Sequence, residues 1–254
     1  MSGMEIDLAG KAALVTGGSR GLGLAIALAM AEKGARVAIC GRKQENLDKA
    51  VAELKQKGFP VFASPANVGQ AAQVSNLFAL VEKELGGLDI LVNNVGTNIL
   101  TPSVAEADES LFDKLMETNL KSAFLTSAEA VKRMKKRGGG KIVNISTVAA
   151  RKAARGMGIY CVAKAGLEML TKVLAQELAP DHIHVNAVAP GVVRTRFSQP
   201  FWSNEGLLKE IIRDVPMGRI AETADVVGAV LFLCSSLADY VTGEVITVDG
   251  GSMA

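Results

Sequence analysis

Tyr160 and Lys164 lie four residues apart in a stretch, 159–178, whose apolar periodicity predicts a helix. Four residues are about one helical turn, so both side chains rise from one face. An ammonium beside a phenol favours the phenolate and lowers its pKa toward the physiological range, where the group can exchange a proton with a carbonyl oxygen. Such pairs also arise by chance, so the chemistry needs a second group of residues. One stands near the N-terminus, where Thr16-Gly17-Gly18-Ser19-Arg20-Gly21-Leu22-Gly23 joins an aliphatic run to a helical stretch. Glycines at Gly17, Gly21 and Gly23 let the backbone turn tightly and approach a pyrophosphate, and a helix N-terminus adds free N–H groups and a positive dipole end. The chain contains no Gly-x-x-x-x-Gly-Lys-Ser/Thr string, so the turn does not read as a P-loop.

The elements that must position these residues are legible as an alternation. Aliphatic runs predict strands over 12–16, 36–40, 61–64, 90–93, 142–146, 184–188 and 245–248. Amphipathic stretches between them predict helices over 21–33, 44–57, 71–85, 110–136, 159–178 and 223–235. That order specifies an α/β fold, a doubly wound parallel sheet with helices on both faces, as one domain over 1–254. Only 194–216 breaks the rhythm; with Phe197, Phe201, Trp202 and an interrupting Pro200, it reads either as a substrate loop or as a surface excursion pinned by its aromatics.

Composition excludes several function classes. With 28 basic and 26 acidic residues the net charge is +2, so no global field draws the chain to nucleic acid or anionic lipid. The basic run 132–137 precedes Gly138 and reads as a solvated last helical turn. Cys40, Cys161 and Cys234 lack metal or redox spacing and read as reduced hydrophobes. His182 and His184 have no third ligand nearby, so no metal is expected. The N-terminal ten residues lack a secretory signal and no run is long enough to span a bilayer, which gives a cytoplasmic expectation and no membrane partner.

Further motifs extend the pattern: Asn93-Asn94-Val95-Gly96, Asn119, Asn144-Ile145-Ser146-Thr147, Tyr160-Cys161-Val162-Ala163-Lys164 and Pro190-Gly191-Val192-Val193-Arg194-Thr195. In this order, and with TGGSRGLG before them, they resemble the short-chain dehydrogenases/reductases over essentially the whole chain. The resemblance implies a Rossmann-like fold and a nicotinamide dinucleotide. It makes Tyr160 the acid/base, Lys164 the ribose ligand that lowers the Tyr pKa, and Asn119 the holder of a relay water. Gly17, Ser19, Arg20, Gly21, Leu22 and Gly23 would surround the pyrophosphate, Asn67 and Val68 the adenine, and Asn94, Gly96, Pro190, Gly191, Val193 and Thr195 the nicotinamide end. The sequence departs from the family pattern at three positions. Thr147 takes the place of the catalytic Ser, its methyl narrowing the site, with Ser146 as a rival one residue earlier; Asn67 replaces an Asp; and Val95 replaces an Ala and would crowd the cofactor.

After the second strand the chain reads Cys40-Gly41-Arg42-Lys43, without an acid for the ribose hydroxyls. With Arg20 in the turn, two guanidinium groups stand ready for a 2′-phosphate, so the expected cofactor is NADP. The strings 39–46 and 196–199 with Trp202 resemble NADPH-dependent carbonyl and retinal reductases and their bacterial relatives. The expected partner is therefore a small carbonyl or alcohol substrate. A 3-oxoacyl-carrier-protein reductase and a hydroxysteroid or sugar-alcohol dehydrogenase are the alternatives among enzymes, and an idle NADP(H)-sensing protein is the alternative outside them. The resemblance also implies a homotetramer.

Overall fold

Every residue of the first strand, β1 (Ala12–Thr16), is buried. Ala13 and Val15 enter one core cluster while Ala12 and Leu14 enter another, as the two-residue period of a strand requires. A strand apolar on both faces belongs inside a helix-covered parallel sheet. The computed structural model describes residues 5–254, and in it β1 is joined by β2 (Arg36–Gly41), β3 (Val61–Pro65), β4 (Ile90–Asn93), β5 (Gly140–Ile145), β6 (Ile183–Pro190) and β7 (Val245–Val248). The order across the sheet is β3-β2-β1-β4-β5-β6-β7, and every neighbouring pair is parallel. The expected doubly wound α/β fold is the fold observed.

The helices are α1 (Gly21–Glu32), α2 (Gln44–Gln56), α3 (Ala71–Leu85), α4 (Glu109–Met116), α5 (Ser122–Lys136), α6 (Gly158–Leu178), α7 (Gln199–Trp202), α8 (Glu205–Arg213) and α9 (Thr223–Cys234). Ile26 and Met30 of α1, Leu47 of α2 and Val226 and Val230 of α9 pack on one face of the sheet. Phe78 and Val81 of α3, Met134 of α5 and Ala175 of α6 pack on the other. The two buried thiols, Cys40 and Cys234, are pushed up to about 12 by desolvation and remain protonated. The basic run at the end of α5 is spent on local ion pairs, with Arg133 on Glu129, Lys135 on Asp181 and Arg137 on Asp89.

Two elements differ from the sequence expectation. The helix expected over 110–136 is divided into α4 and α5 by a π-helical turn, Glu117–Lys121. Asn119 lies in that turn, and its amide donates to the Leu115 carbonyl at 2.8 Å, competing with the regular main-chain ladder. The segment 194–216, expected to be irregular, holds α7 and α8. Pro200 occupies the first turn of α7, where its missing N–H costs nothing, and Asn204 caps α8 by accepting from the Leu207 N–H at 3.1 Å.

A polar network crosses the sheet beneath the C-terminal strand ends. Asn93 donates to Asn144 at 2.9 Å and accepts from Thr126 at 2.7 Å, while Asn144 donates to Thr171 at 2.9 Å. All four are buried, and together they join β4 and β5 to α5 and α6. Asn144→Leu keeps the volume but strands the Asn93 and Thr171 groups, so it should cost about 2–5 kcal/mol and lower the melting temperature clearly. A melting temperature within a degree or so of the parent's would show the network to be dispensable.

Candidate active site

The chain leaves β1 toward β2 on one side and resumes with β4 on the other, which opens a crevice at the C-terminal strand ends. Every motif of the sequence analysis that follows a strand ends there. A cavity of about 750 Å³ runs along the crevice. Its lining takes in the glycine turn after β1 with Arg42 after β2, then Asn94, Gly96, Thr147, Tyr160 and Lys164, and Pro190, Gly191, Val193 and Thr195, the last standing against Gly21 of the glycine turn.

The glycine turn needs its glycines for two separate reasons. Gly17 and Gly21 have φ of +66° and +54°, the left-handed region that side chains disfavour. At Gly23 a Cβ would press on the Gly17 carbonyl and lie 2.5 Å from Asn94 Nδ2. Asn94 locks this approach by donating to the Thr16 and Gly17 carbonyls at 3.1 and 3.3 Å. Helix α1 then starts without a side-chain cap and without an acid in its first turn. Its first N–H groups are therefore open to an anion, and the cradle fits a dinucleotide pyrophosphate. Arg20 and Arg42 are exposed at the cavity's edge, and neither belongs to an ion pair among the described residues.

Tyr160 and Lys164 rise from one face of α6, as their spacing requires, and both are buried. Lys164 Nζ donates to the Ile145 carbonyl at 2.7 Å and lies 5.9 Å from the centre of the Tyr160 ring. Burial drives the two groups in opposite senses. Desolvation brings the Lys164 ammonium down to about 8, and it pushes the Tyr160 phenol up, opposed only in part by the Thr147 hydroxyl within hydrogen-bonding reach. The sequence expectation of a phenol lowered by its lysine is corrected: desolvation raises it. The ammonium points at a main-chain carbonyl, and removal from water dominates.

The family model described as enoyl-(acyl carrier protein) reductase matches residues 17–253. Among curated proteins, human dehydrogenase/reductase SDR family member 4 is 42% identical over 248 residues, covering 96% of this chain and 88% of its own. The chain belongs to the short-chain dehydrogenase/reductase superfamily. Solved members share its course: a short-chain type dehydrogenase/reductase from Mycobacterium marinum at 34% identity, TM-score 0.93 and 98% coverage of both chains; and a gluconate 5-dehydrogenase from Burkholderia cenocepacia, in complex with NADP and tartrate, at 31% identity, TM-score 0.93, and coverage of 97% and 96%. Oxidoreductases of this superfamily use nicotinamide dinucleotides.

Three of the expected residues are not among those that line this cavity. Asn67 and Val68 do not line it; Asn67 Oδ1 accepts from the Gly69 N–H at 3.2 Å, and Val68 is buried in the core. Asn119 lies behind Gly96, where its oxygen is 3.2 Å from the position a Cβ would take. Both its amide protons are engaged, on the Thr97 and Leu115 carbonyls at 2.8 Å each, and its oxygen accepts from the Thr97 N–H at 3.0 Å. The Asn119 carboxamide therefore braces the strand-end loop to the π-helical turn with both amide protons, while its oxygen keeps a second lone pair.

The rival hydroxyls separate clearly. Ser146 donates to Glu168 at 2.9 Å, and Glu168 also accepts from Arg151 at 2.9 Å. Thr147 stands toward Tyr160 and accepts from the Ala149 N–H at 3.3 Å. In the segment 194–216 the aromatics divide in the same way. Phe197 and Phe201 line the cavity, with the Phe197 ring 6.3 Å from that of Tyr160. Trp202 donates to the Thr195 carbonyl at 3.1 Å and stacks under Arg194, pinning the segment. The lining residues Val148, Lys152 and Met157 went unassigned in the sequence because 147–157 has no periodicity; its only signal was its place between two motifs.

If Thr147 polarises a substrate oxygen, Thr147→Val should lower turnover roughly ten- to a thousandfold, and Thr147→Ser should retain or raise it. Ser146→Ala should change turnover far less, its hydroxyl being spent on Glu168. Steady-state rates of the three variants decide the assignment, which falls if Ser146→Ala is inactive and Thr147→Val is not.

Proposed function

We propose that this chain is an NADP(H)-dependent reductase of ketones or aldehydes, working in the reductive sense as a carbonyl reductase. The observation that carries the reading is one continuous cavity in which a phosphate cradle flanked by free guanidinium groups leads to the paired hydroxyls of Tyr160 and Thr147. When bound, the reduced dinucleotide supplies a hydride to the carbonyl carbon. Tyr160, held as the phenol by burial, gives its proton to the carbonyl oxygen as the alcohol forms. Thr147 donates to the same oxygen, and Lys164 holds the nicotinamide ribose. Gly17, Ser19 and Gly21 to Gly23 hold the pyrophosphate, with Asn94, Gly96, Pro190, Gly191, Val193 and Thr195 at the nicotinamide end. Asn119 braces the loop after β4 with its amide protons and holds the relay water by accepting from it at an oxygen.

In this reading the whole chain works as one unit, with 194–216 as its substrate segment. Exposed Phe112, Phe124, Val162 and Met169 on α4, α5 and α6 support assembly as a homotetramer, since monomers seldom leave such faces bare. No helix among the described residues is long and apolar enough to cross a membrane, and the reduced-thiol reading of the cysteines supports a cytoplasmic location.

Loss of NADPH absorbance with a panel of ketones tests the activity directly. Tyr160→Phe should bind NADPH and turn over about a hundredfold more slowly or worse; a rate within threefold of the parent removes Tyr160 from the chemistry. In the parent, kcat/KM for NADPH should fall as pH rises through about 8, where Lys164 loses its proton. A flat profile to pH 10 would remove the ammonium from the binding step.

NADPH should be preferred over NADH, and replacing both Arg20 and Arg42 by Ala should erase most of that preference. Each charge-assisted contact to the 2′-phosphate contributes about 1.5–3 kcal/mol. Equal use of NADH by the parent defeats the cofactor assignment.

A further inference from the structure

The cavity carries a charge pattern that the dinucleotide does not exhaust. Arg20, Arg42, Lys43, Lys152, Lys164 and Arg196 all line it, whereas Glu45 is its one acidic lining residue and is already paired with Lys49 at 2.6 Å. In a chain of net charge +2 this is a local concentration of one sign. Arg20, Arg42 and Lys43 belong to the glycine turn and the turn after β2, where cofactor phosphates would answer them. Lys152 follows Thr147 in the turn after β5, and Arg196 precedes Phe197, whose ring is 6.3 Å from that of Tyr160.

These two cations differ from their close neighbours in sequence. Arg151 is paired with Glu168, and Arg194 is paired with Glu222 and stacked on Trp202. Lys152 and Arg196 are exposed, line the cavity, and join no ion pair among the described residues. The lining also includes an apolar wall of Val148, Met157, Phe197 and Phe201. Phe197 keeps half its surface open to solvent while facing Tyr160. A wholly polar substrate would leave that wall uncovered, and a wholly apolar one would crowd two cations without answering their charge.

We propose that the substrate is an amphipathic anion: an oxo acid, or the hydroxy acid it becomes, whose apolar body lies on the Phe197 wall and whose carboxylate is held by Lys152 and Arg196. The inference rests on the reductase reading and adds the substrate class to it. Both cations sit in solvent, so they act mainly on capture of the substrate and are sensitive to salt.

The test uses the purified full chain with NADPH and a series of aryl-ketone carboxylic acids of increasing chain length, each beside its methyl ester. At the best length the acid should exceed its ester in kcat/KM by about tenfold, as two partly exposed ion pairs allow. The advantage should lie in KM and shrink as salt is raised. The double substitution Lys152→Ala, Arg196→Ala should bring the acid-to-ester ratio close to one. Equal use of acid and ester by the parent overturns the anion assignment while leaving the reductase reading intact, whereas reduction of neither defeats the reductase reading itself. A rise in the KM for NADPH in Arg196→Ala, with the acid-to-ester ratio unchanged, would assign Arg196 to the cofactor and overturn the two-cation site.

Discussion

The hydrogen bond from Lys164 Nζ to the Ile145 carbonyl is the constraint from which most of the site follows. An ammonium that is 3% exposed is tolerable only where a strong acceptor meets it. The acceptor is the last carbonyl of β5, so the bond holds α6 against the strand end at the level where the chain turns into Ser146 and Thr147. Tyr160, one turn earlier on the same face, is thereby delivered to the side of Thr147. The same burial that makes Lys164 easier to deprotonate makes Tyr160 harder to deprotonate, so one desolvated corner sets the protonation state of both.

Around that corner several polar groups are joined in pairs and chains. Glu168 collects Ser146 and Arg151, and Arg151 reaches on to Thr247 at 3.1 Å, linking the turn after β5 to β7. Asn93 and Asn144 knit the two central strands to α5 and α6. Asn119 fastens the loop after β4 to the π-helical turn. Each bond replaces apolar packing that would have been simpler, and each fixes the orientation of a neighbour that lines the cavity.

Much of this was legible in the residues. The strand alternation, the glycine turn and the Tyr160–Lys164 spacing are local signals, and each rests on a period or a backbone requirement that survives in the fold. What could not be read depends on distance through space. Nothing near Asn119 in sequence says that its carboxamide will meet Thr97, and nothing near Asn67 says that it will stand away from the cavity. The phenol's shift is not legible because spacing reports proximity but not burial. In segment 194–216 the sequence shows Pro200 as an interruption, whereas a proline at the start of a short helix is a beginning.

That segment separates two tasks onto different side chains. Arg194, Trp202 and Ser198 fasten it to its own backbone and to Glu222, while Phe197 and Phe201 are the aromatics it gives to the chamber wall. Arg194 and Trp202 stay off the cavity lining, so the shape of the wall can be exchanged without loosening its attachment. A lineage carrying this arrangement is free to drift in what it accepts while keeping what it does, because selection on specificity and selection on folding fall on different residues.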